Sequence, residues 1–163
     1  MNPRQAAPAP RPRGPERSRV RIEVVRDVTS ELVDALGRLV PQLSRTAAPV
    51  TAATVRAVAG RPGNHLLIAR AGGAIVGTLT LVVFPIPTGV RAWIEDVVVD
   101  EAARGHGAGT ALIQRAVRIA HDAGARTVDL TSRPSRPAAN HLYERLGFRV
   151  RDSHLYRLAR QED

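Results

Sequence analysis

The run Asp96-Val-Val-Val-Asp100-Glu-Ala-Ala-Arg104-Gly-His-Gly-Ala-Gly109 places an apolar strand, a short loop and three glycines in succession, and Thr110 begins helical sequence behind them. Glycine lets a backbone pass through positive φ and come close to a ligand. The first amides of a helix have no partner within it and lie at the positive end of its dipole. Loop and helix start together therefore offer a bed of N–H donors for a phosphate or diphosphate. Two familiar phosphate patterns do not fit. A P-loop closes on Gly-Lys-Ser/Thr, and this chain contains no lysine. A dinucleotide fingerprint counted from Gly105 needs Gly or Ala at its sixth place, where Thr110 stands. What remains is Arg104-x-x-Gly107-x-Gly109, in mid-chain rather than after a first strand.

The elements that must hold this loop are legible in the apolar periodicity. Val20–Val25 alternates as a half-buried strand does, and Asp27 to Ser30 offers caps for a helix carrying Leu32, Val33, Leu36, Leu39 and Val40, which Pro41 helps to end. A second short helix is expected from Thr51 to near Gly60. His65–Ala71 and Ala74–Phe84 flank the Gly72-Gly73 turn as a hairpin, and Pro85 and Pro87 break its second strand. Val90–Val99 is a strand whose second half is apolar on both faces. The glycine-rich stretch opens a helix to about Ala123, striped by Leu112, Ile113, Ala116, Val117 and Ala120. Strand Thr127–Thr131, helix Ala138–Leu146 and closing strands Phe148–Val150 and His154–Leu158 complete the chain. The order β-α-α-β-β-β-α-β-α-β-β implies an α+β domain over residues 20–163, built on one mixed, mainly antiparallel central sheet flanked by helices.

Composition bounds the partners. A length of 163 residues and a hydrophobic fraction of 44% suit a single core. No apolar run approaches the roughly 20 residues of a membrane span, and no apolar stretch follows the basic N-terminus as in a secretory signal, so no membrane partner and a cytoplasmic location are expected. The absence of cysteine excludes disulfides and thiolate sites, and the histidines His65, His121, His141 and His154 show no metal-ligand spacing. The net charge of +9 comes entirely from arginine on the basic side. Residues 1–19 hold five arginines and one acid, rich in Pro and Ala, and read as a disordered tail. The remaining basic and acidic residues alternate, without a dense basic block or interleaved aromatics, which argues against nucleic acid as the primary partner.

Arg104-x-x-Gly107-x-Gly109 after an apolar strand resembles the acetyl-CoA loop of the GNAT N-acetyltransferase superfamily, and Asn140-His-Leu-Tyr143-Glu-Arg-Leu-Gly147-Phe148 resembles its second characteristic stretch. With the strand order, the resemblance covers roughly residues 20–159. It implies a GNAT-like fold and acetyl-CoA as co-substrate, with no metal. It also implies that the amides of Gly105, His106, Gly107, Ala108, Gly109 and Thr110 hold the CoA diphosphate, with Arg104 contacting a phosphate or bracing the loop. The strand bearing Val97, Val98 and Val99 would splay from its neighbour and pair its free backbone groups with pantetheine, one amide polarising the thioester carbonyl. Many such domains form homodimers.

Acetyl transfer needs a neutral amine, whereas free alkylamines have pKa values near 10, so a base is required. Glu95, nine residues before Arg104, stands where many family members carry a catalytic glutamate, with Asp96 as the substitute. Strand alternation would place Glu95 on one face with Trp93, Val97 and Val99, an apolar setting that favours proton uptake by a carboxylate, and Asp96 on the other. The leaving thiolate gains from a proton donor, and Tyr143 occupies the family's position for one, with Asn140 on the same helical face turned to pantetheine. The acceptor wall would come from Leu39–Thr54, Phe84–Arg91 and Ser153–Tyr156, and Arg133 and Arg136 could meet a carboxylate or phosphate. These features point to acetyl transfer onto a primary amine, of a small molecule in first place. A peptide or protein N-acetyltransferase, a non-catalytic acyl-CoA sensor and a basic interaction module working through its tail are the alternatives.

Overall fold

The computed structural model describes residues 20–159. The N-terminal tail lies outside them. Five strands form one sheet in the order β1-β2-β3-β4-β5: β1 Arg21–Val24, β2 Asn64–Ala71, β3 Ala74–Ile86, β4 Gly89–Val99 and β5 Ala125–Leu130. The first three pairings are antiparallel and the β4–β5 pairing is parallel, which makes the sheet mixed and mainly antiparallel as the sequence implied. The helices are α1 Ser30–Leu43, α2 Ala52–Ala59, α3 Ala108–Asp122 and α4 Pro137–Arg145.

Local chemistry accounts for their limits. Thr29 caps α1 by accepting from the Leu32 amide, and Thr51 and Thr54 form a reciprocal capping box at α2. Pro41 sits inside the last turn of α1 rather than ending it; the helix runs to Leu43. Pro85 likewise does not break β3. The Val83 amide donates toward β2, to Gly63 O, and by alternation the proline nitrogen at position 85 faces the same way, past the start of β2 at Asn64. The missing N–H therefore costs no ladder bond.

The sheet carries a core on each face. Leu67, Leu79, Leu81, Ala92 and Ile94 meet Leu112, Ile113, Ala116 and Ala120 of α3, with Tyr143 of α4 at the margin. Leu66, Ile68, Ile75 and Val98 meet Leu32, Ala35, Leu36 and Leu39 of α1 and Val55 of α2 on the other side. Thr78 is buried among them, its hydroxyl donating to Leu67 O at 2.9 Å.

Two departures from the sequence reading matter. The closing strands Phe148–Val150 and His154–Leu158 are not formed: residues 148–159 carry no strand, and Val150, Tyr156 and Leu158 are almost wholly exposed. Phe148 spends its amide on Tyr143 O and its ring on the edge of Tyr143, so the chain caps α4 there instead of joining β5. The second departure is a bulge in β4. Thr80 pairs with Glu95 and Thr78 with Val98, so one residue of β3 faces two of β4, and Asp96 takes φ 51°. The extra residue inverts the pleat. Val97 and Val99 pack toward α3, and Glu95 shares the opposite face with Val98 rather than with Val97 and Val99.

Left-handed backbone is tolerated by Asp and strained for β-branched residues. Asp96→Gly should leave stability within about 0.5 kcal/mol, while Asp96→Val should lose about 1–2 kcal/mol in chemical denaturation. Equal stability of the two variants would mean that the bulge is not held at this residue.

Candidate active site

The bulge lies where β4 and β5 part. Their parallel register runs from Val90↔Ala125 to Ile94↔Leu130 and ends there, because β5 stops at Leu130 while β4 continues to Val99. On its other side Val98 and Val99 stay paired with Thr78 and Gly77 of β3. Val97–Val99 thus has a sheet neighbour on one side and an opening on the other. A cleft of about 540 Å³ occupies that opening, lined by Val97–Val99, the glycine loop and the start of α4.

Asp100 N donates to Val76 O, and a single 3-10 turn, Glu101–Ala103, leads into the loop. Gly105 and Gly107 take φ 80° and 84°, the left-handed region. Gly107 is the N-cap of α3 and supplies no side-chain cap, so the first amides of a 15-residue helix open toward the cleft without an internal acceptor. Gly109 allows close packing, since a Cβ there would come within 3.1 Å of the Leu142 side chain. Arg104 lines the cleft and pairs with Glu101 at 3.3 Å, and Arg136 and Arg145 add charge from α4 and its approach. Uncapped amides with three guanidinium groups around them form a donor set that fits a diphosphate.

Most of the expected residues come together here. Val97, Val98, Val99, Arg104, Gly105, Gly107, Ala108, Gly109, Thr110 and Tyr143 line the one cleft. His106 and Asn140 do not: His106 Nδ1 lies 2.9 Å from Arg104 O within its own loop, and Asn140 Nδ2 donates to Arg133 O at 3.1 Å, bracing the approach to α4. Glu95 stands outside the cleft wall on the α1–α2 side of the sheet, where its Oε1 accepts from Trp93 Nε1 at 2.7 Å. It is exposed, not enclosed by apolar side chains, because the bulge removes Val97 and Val99 from its face. Gln42 at the end of α1 also lines the cleft; it falls within Leu39–Thr54, the segment expected at the acceptor wall, but its contact with this loop had no local signal. Of the expected acceptor wall, Ser153–Tyr156 is exposed throughout.

Tyr143 is 7% exposed, packed edge-on against Phe148 with ring centroids 6.0 Å apart. Burial pushes its phenol above the ordinary value of 10.0, and the charge of Arg136 opposes this only in part. The hydroxyl is therefore protonated throughout the neutral range, the state a proton donor requires.

The acetyltransferase (GNAT) family model matches residues 32–148, which span both halves of this cleft and strands β2 to β5. The chain belongs to the GNAT family. A glucosamine 6-phosphate N-acetyltransferase of Trypanosoma brucei brucei is 44% identical over 84 residues, covering 49% of this chain and 54% of the relative. The chain thus spans about half the length of the curated relative it matches. Among solved structures, a putative acetyltransferase from Agrobacterium tumefaciens superposes with a TM-score of 0.75 at 26% identity, over 86% of this chain and 99% of that one. An acetyltransferase of Trypanosoma brucei gives 0.67 at 29% identity, over 86% and 99%. GNAT enzymes use acetyl-CoA as co-substrate.

The chain has two tyrosines, so Tyr156→Phe leaves Tyr143 alone to be followed by ultraviolet titration. Its midpoint should lie above pH 10, since burial disfavours the phenolate. A midpoint at or below 10 would contradict the enclosed position of the ring.

Proposed function

We propose that this GNAT protein transfers the acetyl group of acetyl-CoA directly to a primary amine of a small molecule. The observation that carries the reading is the break in β4–β5 pairing beside an uncapped helix start. A thioester lying along Val97–Val99 would extend the sheet as an added strand does, while the amides from Gly105 to Thr110 hold the diphosphate. The diphosphate end is anchored by a loop and the acyl end by a strand, which fixes the carbonyl without a dedicated side chain.

In this reading the two faces of the sheet beside the opening take different partners. The co-substrate side is walled by α3 and α4, with the Tyr143 ring buried beside it. The other side carries Glu95, held by Trp93 and open to solvent. An amine approaching from that side meets the carbonyl carbon from the face opposite the cofactor wall. Its nitrogen forms the new C–N bond while an amide of β4 steadies the developing oxyanion, and the excess proton leaves through water to Glu95. The C–S bond then breaks, and the thiolate, whose parent pKa is about 8.5, takes the proton of Tyr143. The bulge supports this division of labour, since it sets Glu95 and Val97 on opposite faces while keeping them two residues apart.

A small molecule is preferred as acceptor because the 44% identical relative is named for an amino-sugar phosphate. Arg133 and Arg136, at the approach to α4, offer charge to an anionic group on such an acceptor or on CoA.

Pooled primary amines screened for CoA release with a thiol reagent should reveal a stimulating class, with no background from the cysteine-free protein. With that amine, Tyr143→Phe should lower kcat by roughly 10²–10⁴ at saturating acetyl-CoA, and Glu95→Gln should lower it by at least about tenfold at neutral pH. Wild-type turnover in Tyr143→Phe would remove the acid, and wild-type turnover in Glu95→Gln would remove the base.

A further inference from the structure

Gln42 lies in the last turn of α1, 59 residues before Glu101, and uses both ends of its side-chain amide. Its Nε2 donates to Arg38 O at 3.2 Å, back along its own helix. Its Oε1 accepts from the Glu101 amide at 3.1 Å. Glu101 opens the 3-10 turn that feeds the diphosphate loop, and the Asp100 carboxylate takes the next amide, Ala102 N, at 3.1 Å. The Glu101 side chain in turn holds Arg104 at 3.3 Å, and the Arg104 carbonyl is in contact with His106 Nδ1. A line of contacts thus runs from α1 through Gln42, Glu101 and Arg104 to the glycines. It joins the helix that packs on the Glu95 face to the loop on the opposite side.

We propose that Gln42 is a positioning residue for the diphosphate loop. It sets the point at which the chain enters Arg104–Gly109 and acts on the co-substrate through that loop, its own polar atoms being spent on backbone. The inference rests on the reading of the loop as the acetyl-CoA site. α1 is already held to the sheet by the buried Leu32, Ala35, Leu36 and Leu39, so the fold does not need the Gln42 bond. The loop has no comparable apolar anchor, since residues 101–107 are exposed or half-buried. Removing one hydrogen bond at such a place loosens the loop without unfolding the domain.

Gln42→Met keeps the length of the side chain and removes the acceptor. Calorimetry should show the Kd for acetyl-CoA raised about three- to tenfold, with stoichiometry unchanged and Tm within about 2 °C. With the active amine, KM for acetyl-CoA should rise in parallel while kcat stays within about twofold. An unchanged Kd overturns the proposal. So does a fall in stoichiometry, kcat and Tm together at constant Kd, which is the signature of a merely structural residue. The wild-type titration separates the two ideas. No binding of acetyl-CoA by the wild type would sink the functional reading and this inference with it. Tight wild-type binding with an unaffected Gln42→Met would sink the inference alone.

Discussion

One mismatch in length governs the site: β5 stops at Leu130, whereas β4 carries on past its last partner for five more residues to Val99. Inside a sheet, such an end leaves N–H and C=O groups without a ladder, and these must find another acceptor or donor. Here β3 satisfies one side of Val98 and Val99, and the other side opens on a cleft. The sheet thus leaves a gap beside Val97–Val99. Everything around it either maintains the gap or equips its walls.

The gap is maintained by packing on both faces. α3 lies across the sheet with Leu112, Ile113, Ala116 and Ala120 at essentially zero exposure, and its N-terminus is thereby fixed beside the end of β4. α1 packs across β3 and β4 and α2 on β2 from the other side, with Val98 buried among their side chains. On this face Glu95 stays exposed and Trp93 half-buried. The bulge at Asp96 serves both halves, because it turns Val97 and Val99 into the α3 core and Glu95 away from it. A regular strand would have placed the Glu95 carboxylate on the same face as Val97 and Val99, and in the proposed reaction amine and thioester would then compete for the same space.

The glycine loop, the order of the first nine elements and both helix stripes were legible in the sequence because each depends on local spacing. The glycines read as the opening of a helix from their neighbours alone, and Tyr143 was found from its place in a second motif. The face that Glu95 takes was not legible, since strict alternation carries no sign of the extra residue; Asp96, a residue that tolerates left-handed backbone and is uncommon inside strands, is the one local hint. His106 and Asn140 were expected at the ligand because their motifs put them nearby; their side chains lie outside the cleft lining, each within hydrogen-bond reach of a backbone carbonyl. The closing segment alternates well enough to suggest strands. Phe148 is instead held on Tyr143, five residues back, by its amide and its ring, a local closure of α4 that the alternation does not reveal. The contact of Gln42 was not legible for a different reason, as its partner is 59 residues away.

The central claim is that a bound co-substrate completes the sheet at Val97–Val99 while the α3 start holds its diphosphate. Amide hydrogen exchange with and without acetyl-CoA, resolved by residue, tests this most directly. The account predicts new protection concentrated at the Val97–Val99 amide that faces the cleft and at Gly105 to Thr110, with little change in β1 or α2. Binding that protects other segments and leaves those amides exchanging as before would contradict it.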